Sequence, residues 1–324
     1  MSKVALITGI SGQDGTYLAE LLLKKGYEVH GLVNRPPSGV LFELTLKENP
    51  YSKQLTLHPC SFEDVYEIRR IIERTNASEI YHLAGQSSPR LSFVLPRATE
   101  SSIATATMDL LEICREQKRK ISFLLASSAE IFGSPAEYPQ TERTPIEPVT
   151  PYGACKAYAQ NMTKIYRDSF GLRACSAIMY NHESPRRGLQ FVTQKIATAA
   201  AMIKLGKQDR LKLGNLSGLR DWGWAPDYVE ALWLMLQQDK VDDYILATGE
   251  LNSVEKFVEL SFSYVDLNWQ DYVDYDKSLV AVSERKNSCG SPLKIEETLG
   301  WKHTVGIEEI VARMVQSQLD ELSR

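Results

Sequence analysis

Thr8-Gly9-Ile10-Ser11-Gly12-Gln13-Asp14-Gly15 is a glycine-rich turn between an apolar run at 4–8 and an amphipathic segment at 17–25. The flanks read as a buried strand followed by a helix. Glycines in such a turn permit a tight bend, close approach of the backbone to a diphosphate, and close helix packing. The start of the helix adds free N–H groups and the positive end of its dipole. Dinucleotide binding is therefore expected at Gly9, Ser11, Gly12, Gln13, Asp14 and Gly15.

Outward from this turn the same rhythm repeats. Further strands are expected at 28–33, 55–57, 79–83, 121–127 and 174–179, and helices at 63–74, 99–118 and 152–170. Alternation at this spacing implies right-handed βαβ units in an α/β fold, a Rossmann-type doubly wound parallel sheet. After about residue 181 longer helices take over, at 191–205 and 225–238, with short strands beyond. A dinucleotide-binding domain over 1–180 and a smaller mixed α/β C-terminal substrate lobe over 181–324 are expected, with the chain crossing between them. A ligand would occupy the cleft between the lobes.

Composition narrows the function. The chain has 324 residues, 43% hydrophobic and 24% charged, which excludes a disordered, collagen-like or disulfide-scaffold protein. A net charge of -4 gives no broad positive field, so neither nucleic acid nor an anionic membrane is expected as a partner. Five cysteines with no CxxC pair suggest reduced thiols, and no metal site is expected. No run of eighteen apolar residues exists, and Gly9 with the polar stretch 11–14 interrupts the first apolar run too early for a signal peptide. A cytoplasmic location is expected.

The end of the second strand discriminates between cofactors. An acidic residue there would bind the ribose hydroxyls of NAD. Val33-Asn34-Arg35 stands there instead, with Arg35 placed for a 2′-phosphate, so NADP is expected. A proton-transfer group follows in Tyr152-Gly153-Ala154-Cys155-Lys156, whose tyrosine and lysine share one helix face. An ammonium beside a phenol favours the phenolate, which suits Tyr152 to take a proton from a sugar hydroxyl. Alone this spacing is common. Ala126-Ser127-Ser128-Ala129-Glu130, at the end of the fifth strand, makes it specific. Ser128 can bond the oxygen that Tyr152 deprotonates, and Glu130, beside Ile131-Phe132, suits a group acting as both base and acid.

Together these motifs resemble the extended short-chain dehydrogenase/reductase superfamily. Within it, the stretch from Asn181-His182-Glu183-Ser184 to Pro185-Arg186-Arg187-Gly188 is similar to the GDP-mannose 4,6-dehydratase signature. Phe191-Val192-Thr193, Leu213-Gly214-Asn215, Arg220-Asp221-Trp222-Gly223 and Asp227-Tyr228-Val229-Glu230 extend the likeness. It runs from Val4 to Leu299-Gly300-Trp301.

The resemblance implies a reaction and a set of roles. C4 of a GDP-sugar is oxidised, water leaves C5 and C6, and the hydride is returned to C6, giving a 4-keto-6-deoxy sugar. Tyr152 would take the C4 hydroxyl proton, with Ser128 and Lys156 assisting, and Glu130 would move the C5 proton and protonate the departing water. Leu83, Ala84, His182 and Arg187 match cofactor-contacting positions, and Lys156 would also hold the nicotinamide ribose. Ser87, Asn181, Glu183, Lys195, Arg220 and Glu284 match positions lining the sugar nucleotide, with Arg220 on its diphosphate. Trp222, Trp224 and Trp233 are expected in the core. A homo-oligomer, dimer or tetramer, is implied.

Several positions depart from the pattern. Ser128 replaces the usual threonine, and His58-Pro59-Cys60-Ser61 stands where the family has Gly-Asp beside the adenine. The arginine-rich loop of relatives shrinks to Asn34-Arg35-Pro36-Pro37, and Ala281-Val282-Ser283-Glu284 keeps only the glutamate of Arg-Pro-x-Glu, with Arg285 next to it. Leu219 stands where lysine is usual. A nucleotide-sugar 4-epimerase, a 4-keto reductase or a non-catalytic NADP-binding module are the competing readings.

Overall fold

A computed structural model describes residues 3–33, 52–280 and 287–323, with the side chain of Ser52 set aside. Seven strands form the main sheet: β1 (Val4–Thr8), β2 (Glu28–Val33), β3 (Leu55–Pro59), β4 (Glu79–His82), β5 (Ser122–Ser128), β6 (Arg173–Met179) and, from the second half, Tyr244–Leu246. Their order is β3-β2-β1-β4-β5-β6 and then Tyr244–Leu246, every adjacent pair parallel. The Rossmann-type sheet is thus present. The strand order reverses between β1 and β4, which opens a crevice at their carboxyl ends.

Helices cover both faces, and the central strands β1, β4, β5 and β6 are buried along most of their length. On one face α1 (Gln13–Lys24) places Leu18, Ala19 and Leu22 against Tyr228, Leu232 and Met235 of the helix Ala225–Leu236. On the other, α2 (Val65–Thr75) contributes Ile68, Ile71 and Ile72 beside Phe123 and Leu125 of β5. A separate core gathers Ile196, Phe257, Phe262, Ile310 and Met314 from three helices of the second half. Trp222 and Trp224 are buried in it, and Trp233 packs half-buried on the sheet side.

The helix expected over 99–118 is broken. Three short helices stand before and within it: α3 (Pro89–Val94), α4 (Pro96–Glu100) and α5 (Ala106–Glu116), the last two joined by a π-helical turn at Ser101–Thr105. Ser88 and Pro89 start α3, the Ser88 hydroxyl accepting from Leu91 N. The Ser102 hydroxyl, inside the π turn, donates to the Thr99 carbonyl and accepts from Gln86 N. It ties the turn to the segment that follows β4. Such turns recur at functional sites. α6 (Pro151–Phe170) begins with Thr150 capping Gly153 N at 2.9 Å and ends at Gly171 with φ +69°.

Candidate active site

The turn after β1 has the geometry its glycines allow. Gly9 adopts φ +72°, and a Cβ there would come within 2.8 Å of Ala84 N. A Cβ on Gly15 would meet the Gly9 carbonyl oxygen at 2.2 Å, so α1 lies directly on the turn. Gly12 is the N-cap of α1, and the first intrahelical bond runs from Thr16 N to Gly12 O. Gly12 N itself donates to the Gly9 carbonyl at 3.0 Å, so the N–H groups of the first turn, at Gln13, Asp14 and Gly15, are the ones a helix start offers to an anion.

In front of this turn a groove of about 500 Å³ is lined by Gly9, Ser11, Gly12, Gln13, Asp14, Gly15, Leu83 and Ala84. Leu32 and Phe62 form its far wall. The Ser61 hydroxyl accepts from Glu63 N, and Cys60 is buried; neither lines the groove. Arg35, with the 34–37 loop, and Glu284 with Arg285 lie outside the described residues.

A second cavity, about 260 Å³, joins the groove and shares Asp14, Leu83, Ser87 and Arg187 with it. Ser128, Glu130, Tyr152 and Lys156 all line it, together with Ser87, Asn181, His182 and Arg220. β5 ends at Ser128, whose hydroxyl accepts from Glu130 N at 3.3 Å and starts the 3₁₀ turn Ala129–Phe132. Tyr152 sits in the first turn of α6, and its N–H donates to the buried hydroxyl of Ser92 at 3.1 Å. Lys156 is one turn further on, its Nζ 5.9 Å from the centre of the Tyr152 ring and donating to the Ala126 carbonyl at 2.6 Å. Burial pushes the Lys156 ammonium down to about 8, only partly opposed by the charge of Asp14.

His82, at the end of β4, is held neutral: burial, and then the Lys156 charge, push it down to about 3. It bonds Thr8 Oγ1 at 2.8 Å, and Thr8 Oγ1 also accepts from Ala84 N. These contacts fix the crossing from β4 into the groove.

The strand β7 (Asn181–Glu183) pairs in parallel with Trp222–Trp224, and Asn181 and Arg220 both line the second cavity. Asp221 turns the other way. It accepts from Thr248 N, Thr248 Oγ1 and Gly249 N at 2.8–2.9 Å, and burial pushes its carboxyl up to about 6 despite those bonds. Arg220 is therefore directed to the cavity while its neighbour anchors the strand. Glu183 is buried behind the wall, bonded by Thr193 Oγ1 and 3.2 Å from Arg187 Nε. Lys195 is exposed and donates to Lys212 O; neither residue lines the two cavities.

Sequence reasoning passed over two residues here. Ser92, in the apolar context Leu91-Ser92-Phe93, gives no signal of its own. Gly153 packs α6 onto the Glu130 turn, where a Cβ would meet the Glu130 carbonyl at 2.5 Å. Its one trace in the sequence is a glycine inside a helical pattern, which signals close packing.

Comparison with known proteins places this arrangement. Residues 6–314 match the family described as GDP-mannose 4,6 dehydratase. GDP-mannose 4,6 dehydratase 1 of Arabidopsis thaliana is 45% identical over 330 residues, covering 99% of this chain and 91% of that protein. The human GDP-mannose 4,6 dehydratase is 39% identical, covering 98% and 92%. Among solved structures, a UDP-glucose 4-epimerase from Thermotoga maritima superposes with a TM-score of 0.87 at 21% identity, covering 98% of this chain and 99% of that one. A dTDP-glucose 4,6-dehydratase from Bacillus anthracis gives 0.86 at 18%, covering 99% and 98%; both likenesses speak for the fold alone. With the family matched along nearly its whole length, this chain belongs to the GDP-mannose 4,6-dehydratases.

Proposed function

We propose that the protein is an NADP-dependent GDP-mannose 4,6-dehydratase, a hydro-lyase that converts the GDP-sugar to its 4-keto-6-deoxy form. The observation that carries this reading is the convergence of Ser128, Glu130, Tyr152 and Lys156 in one cavity that opens into the glycine-turn groove. The groove fits a dinucleotide: Gly9 and Gly15 leave room where any Cβ would collide, and the start of α1 presents unpaired N–H groups. Gly9, Ser11, Gly12, Gln13, Leu83 and Ala84 would hold it, with Lys156 and Arg187 at the end facing the second cavity. When bound, the nicotinamide supplies a reversible store for the C4 hydride.

The side chains divide the proton transfers. Tyr152 takes the proton of the C4 hydroxyl, and the Lys156 ammonium stabilises the charge left on the phenol. Ser128 Oγ already accepts the Glu130 N–H, so its own proton is offered to the C4 oxygen. A C4 ketone acidifies C5, and Glu130 removes that proton and delivers one to the C6 hydroxyl as it leaves. Arg220, Asn181 and Ser87 position the sugar nucleotide. A cofactor lobe over 1–180 and a sugar-nucleotide lobe over 181–324, with the chain crossing back so that Ala225–Leu236 and Tyr244–Leu246 join the first, and assembly into a homo-oligomer, complete the proposal.

The test is a product assay. GDP-mannose incubated with the protein and NADP⁺ should lose one water by mass with no net reduction of the cofactor. UDP-, CDP- and dTDP-hexoses should remain unchanged. A 4-epimer without loss of water would overturn the reading.

A further inference from the structure

The turn that leaves N–H groups free for an anion also carries a carboxylate. Asp14 is the second residue of α1, lines both the groove and the second cavity, and would repel a diphosphate at the helix start if it stood alone. It does not stand alone. His182, from β7 in the second half, reaches both Asp14 carboxylate oxygens with Nε2 at 3.0 Å. The other nitrogen of the ring, Nδ1, meets the Tyr180 carbonyl at 2.7 Å. A carbonyl and an ionised carboxylate only accept, so with Asp14 ionised these contacts call for a proton on each ring nitrogen, the donor pattern of an imidazolium.

The environment is consistent with that assignment. Burial opposes the charge on both partners, yet the Asp14 carboxylate raises the His182 ring above its ordinary value, and His182 lowers Asp14. The ring stacks on Tyr228, centroids 4.7 Å apart, so it cannot swing away. Other charged or titratable groups facing the pair are Arg187, toward both partners, and Lys156 and Tyr17, toward Asp14. Gln13 closes the contact by donating to Asp14 Oδ1 and to the His182 carbonyl, each at 3.1 Å.

We propose that His182 is a positioning residue that acts through Asp14: its imidazolium cancels the carboxylate in the anion-binding turn and fastens that turn to the sugar-side strand. This rests on the reading that a dinucleotide occupies the groove. Neutralisation keeps the helix start attractive to a diphosphate, and the bond across the two halves holds the groove in register with the cavity.

The two roles of the pair make substitutions non-additive in a way that packing alone does not. His182→Gln takes away the cation hydrogen-bonded to Asp14, leaving the unbonded charges of Arg187 and Lys156, and should weaken NADP⁺ binding, measured calorimetrically without any sugar, by at least about tenfold. Asp14→Asn in the same chain removes the exposed charge and should restore affinity to within about threefold of wild type. Nitrogen NMR of labelled His182 at pH 7 should show both ring nitrogens protonated, a readout that holds even if a variant folds poorly. A neutral ring, a His182→Gln protein that binds as wild type, or a double variant as weak as the single one would overturn the proposal. A wild-type protein that binds no dinucleotide overturns the cofactor reading and the proposal with it. One that binds NADP⁺ with this pattern but leaves GDP-mannose unchanged overturns only the reaction.

Discussion

Gly153 lies so close to the carbonyl of Glu130 that a Cβ would approach it to 2.5 Å. The helix carrying Tyr152 and Lys156 therefore rests directly on the turn carrying Glu130. The spacing between the two proton-transfer groups is set by a missing side chain. Gly153→Ala should cost about 1–3 kcal/mol of stability as the helix is pushed off the turn. It should lower kcat by about 100-fold, with a smaller loss of NADP⁺ affinity through the displaced Lys156. Thermal melts and steady-state kinetics check both, and wild-type kcat in the variant would dismiss the contact.

Tyr152 and Glu130 separate the first half of the chemistry from the second. Tyr152→Phe removes the group that takes the C4 proton and should reduce turnover at least about 100-fold with the fold and NADP⁺ binding intact. Glu130→Gln should still allow oxidation at C4, seen as absorbance of reduced nicotinamide in a single turnover, but admit no deuterium at C5 from heavy water. Deuterium entry at the normal rate would place the base elsewhere.

Lys156 ties activity to pH. Its ammonium, pushed down to about 8 by burial, is lost as pH rises through that value, so kcat/KM of the free enzyme should fall on the alkaline side near pH 8. Lys156→Arg should move this limb upward. Stability runs the opposite way: the unfolded chain holds this proton up to 10.5, so between about 8 and 10.5 the folded state gains as pH rises. A pH profile of kcat/KM that is flat to pH 10 would contradict the assignment.

Asp221 anchors the strand that directs Arg220. Asp221→Asn turns an amide N–H₂ toward the N–H donors of Thr248 or Gly249 and should destabilise the protein by about 1–3 kcal/mol. The folded carboxyl titrates near 6 against 3.8 when unfolded, so wild type loses stability as pH rises across that interval and the variant does not. The difference in melting temperature should narrow from pH 4 to pH 6. A constant difference would show that Asp221 is already ionised at pH 4.

Sequence spacing revealed what depends on local periodicity. The strand–turn–helix at Gly9 to Gly15, the one-turn spacing of Tyr152 and Lys156, and Ser128 with Glu130 at a strand end are each set by neighbours in the chain. What stayed hidden depends on neighbours far away. Ser92 bonds Tyr152 N from sixty residues back. Arg220 and Asp221 are adjacent in the chain, but the fold sends Asp221 to Thr248 and leaves Arg220 at the cavity. The helix expected at 99–118 conceals a π turn because Ser102 is held by Gln86, a partner the helical pattern does not contain. Glu183 and Lys195 show the same limit: motif position does not say which way a side chain turns.

The outermost strand of the main sheet, Tyr244–Leu246, and the helix Ala225–Leu236 that covers α1 both come late in the chain. A nascent polypeptide that had emerged only as far as β6 would expose a naked strand edge and an uncovered apolar face. Folding of the nucleotide half during translation must wait for about seventy more residues. Release of the growing chain before that point would yield an aggregation-prone fragment rather than a working cofactor module.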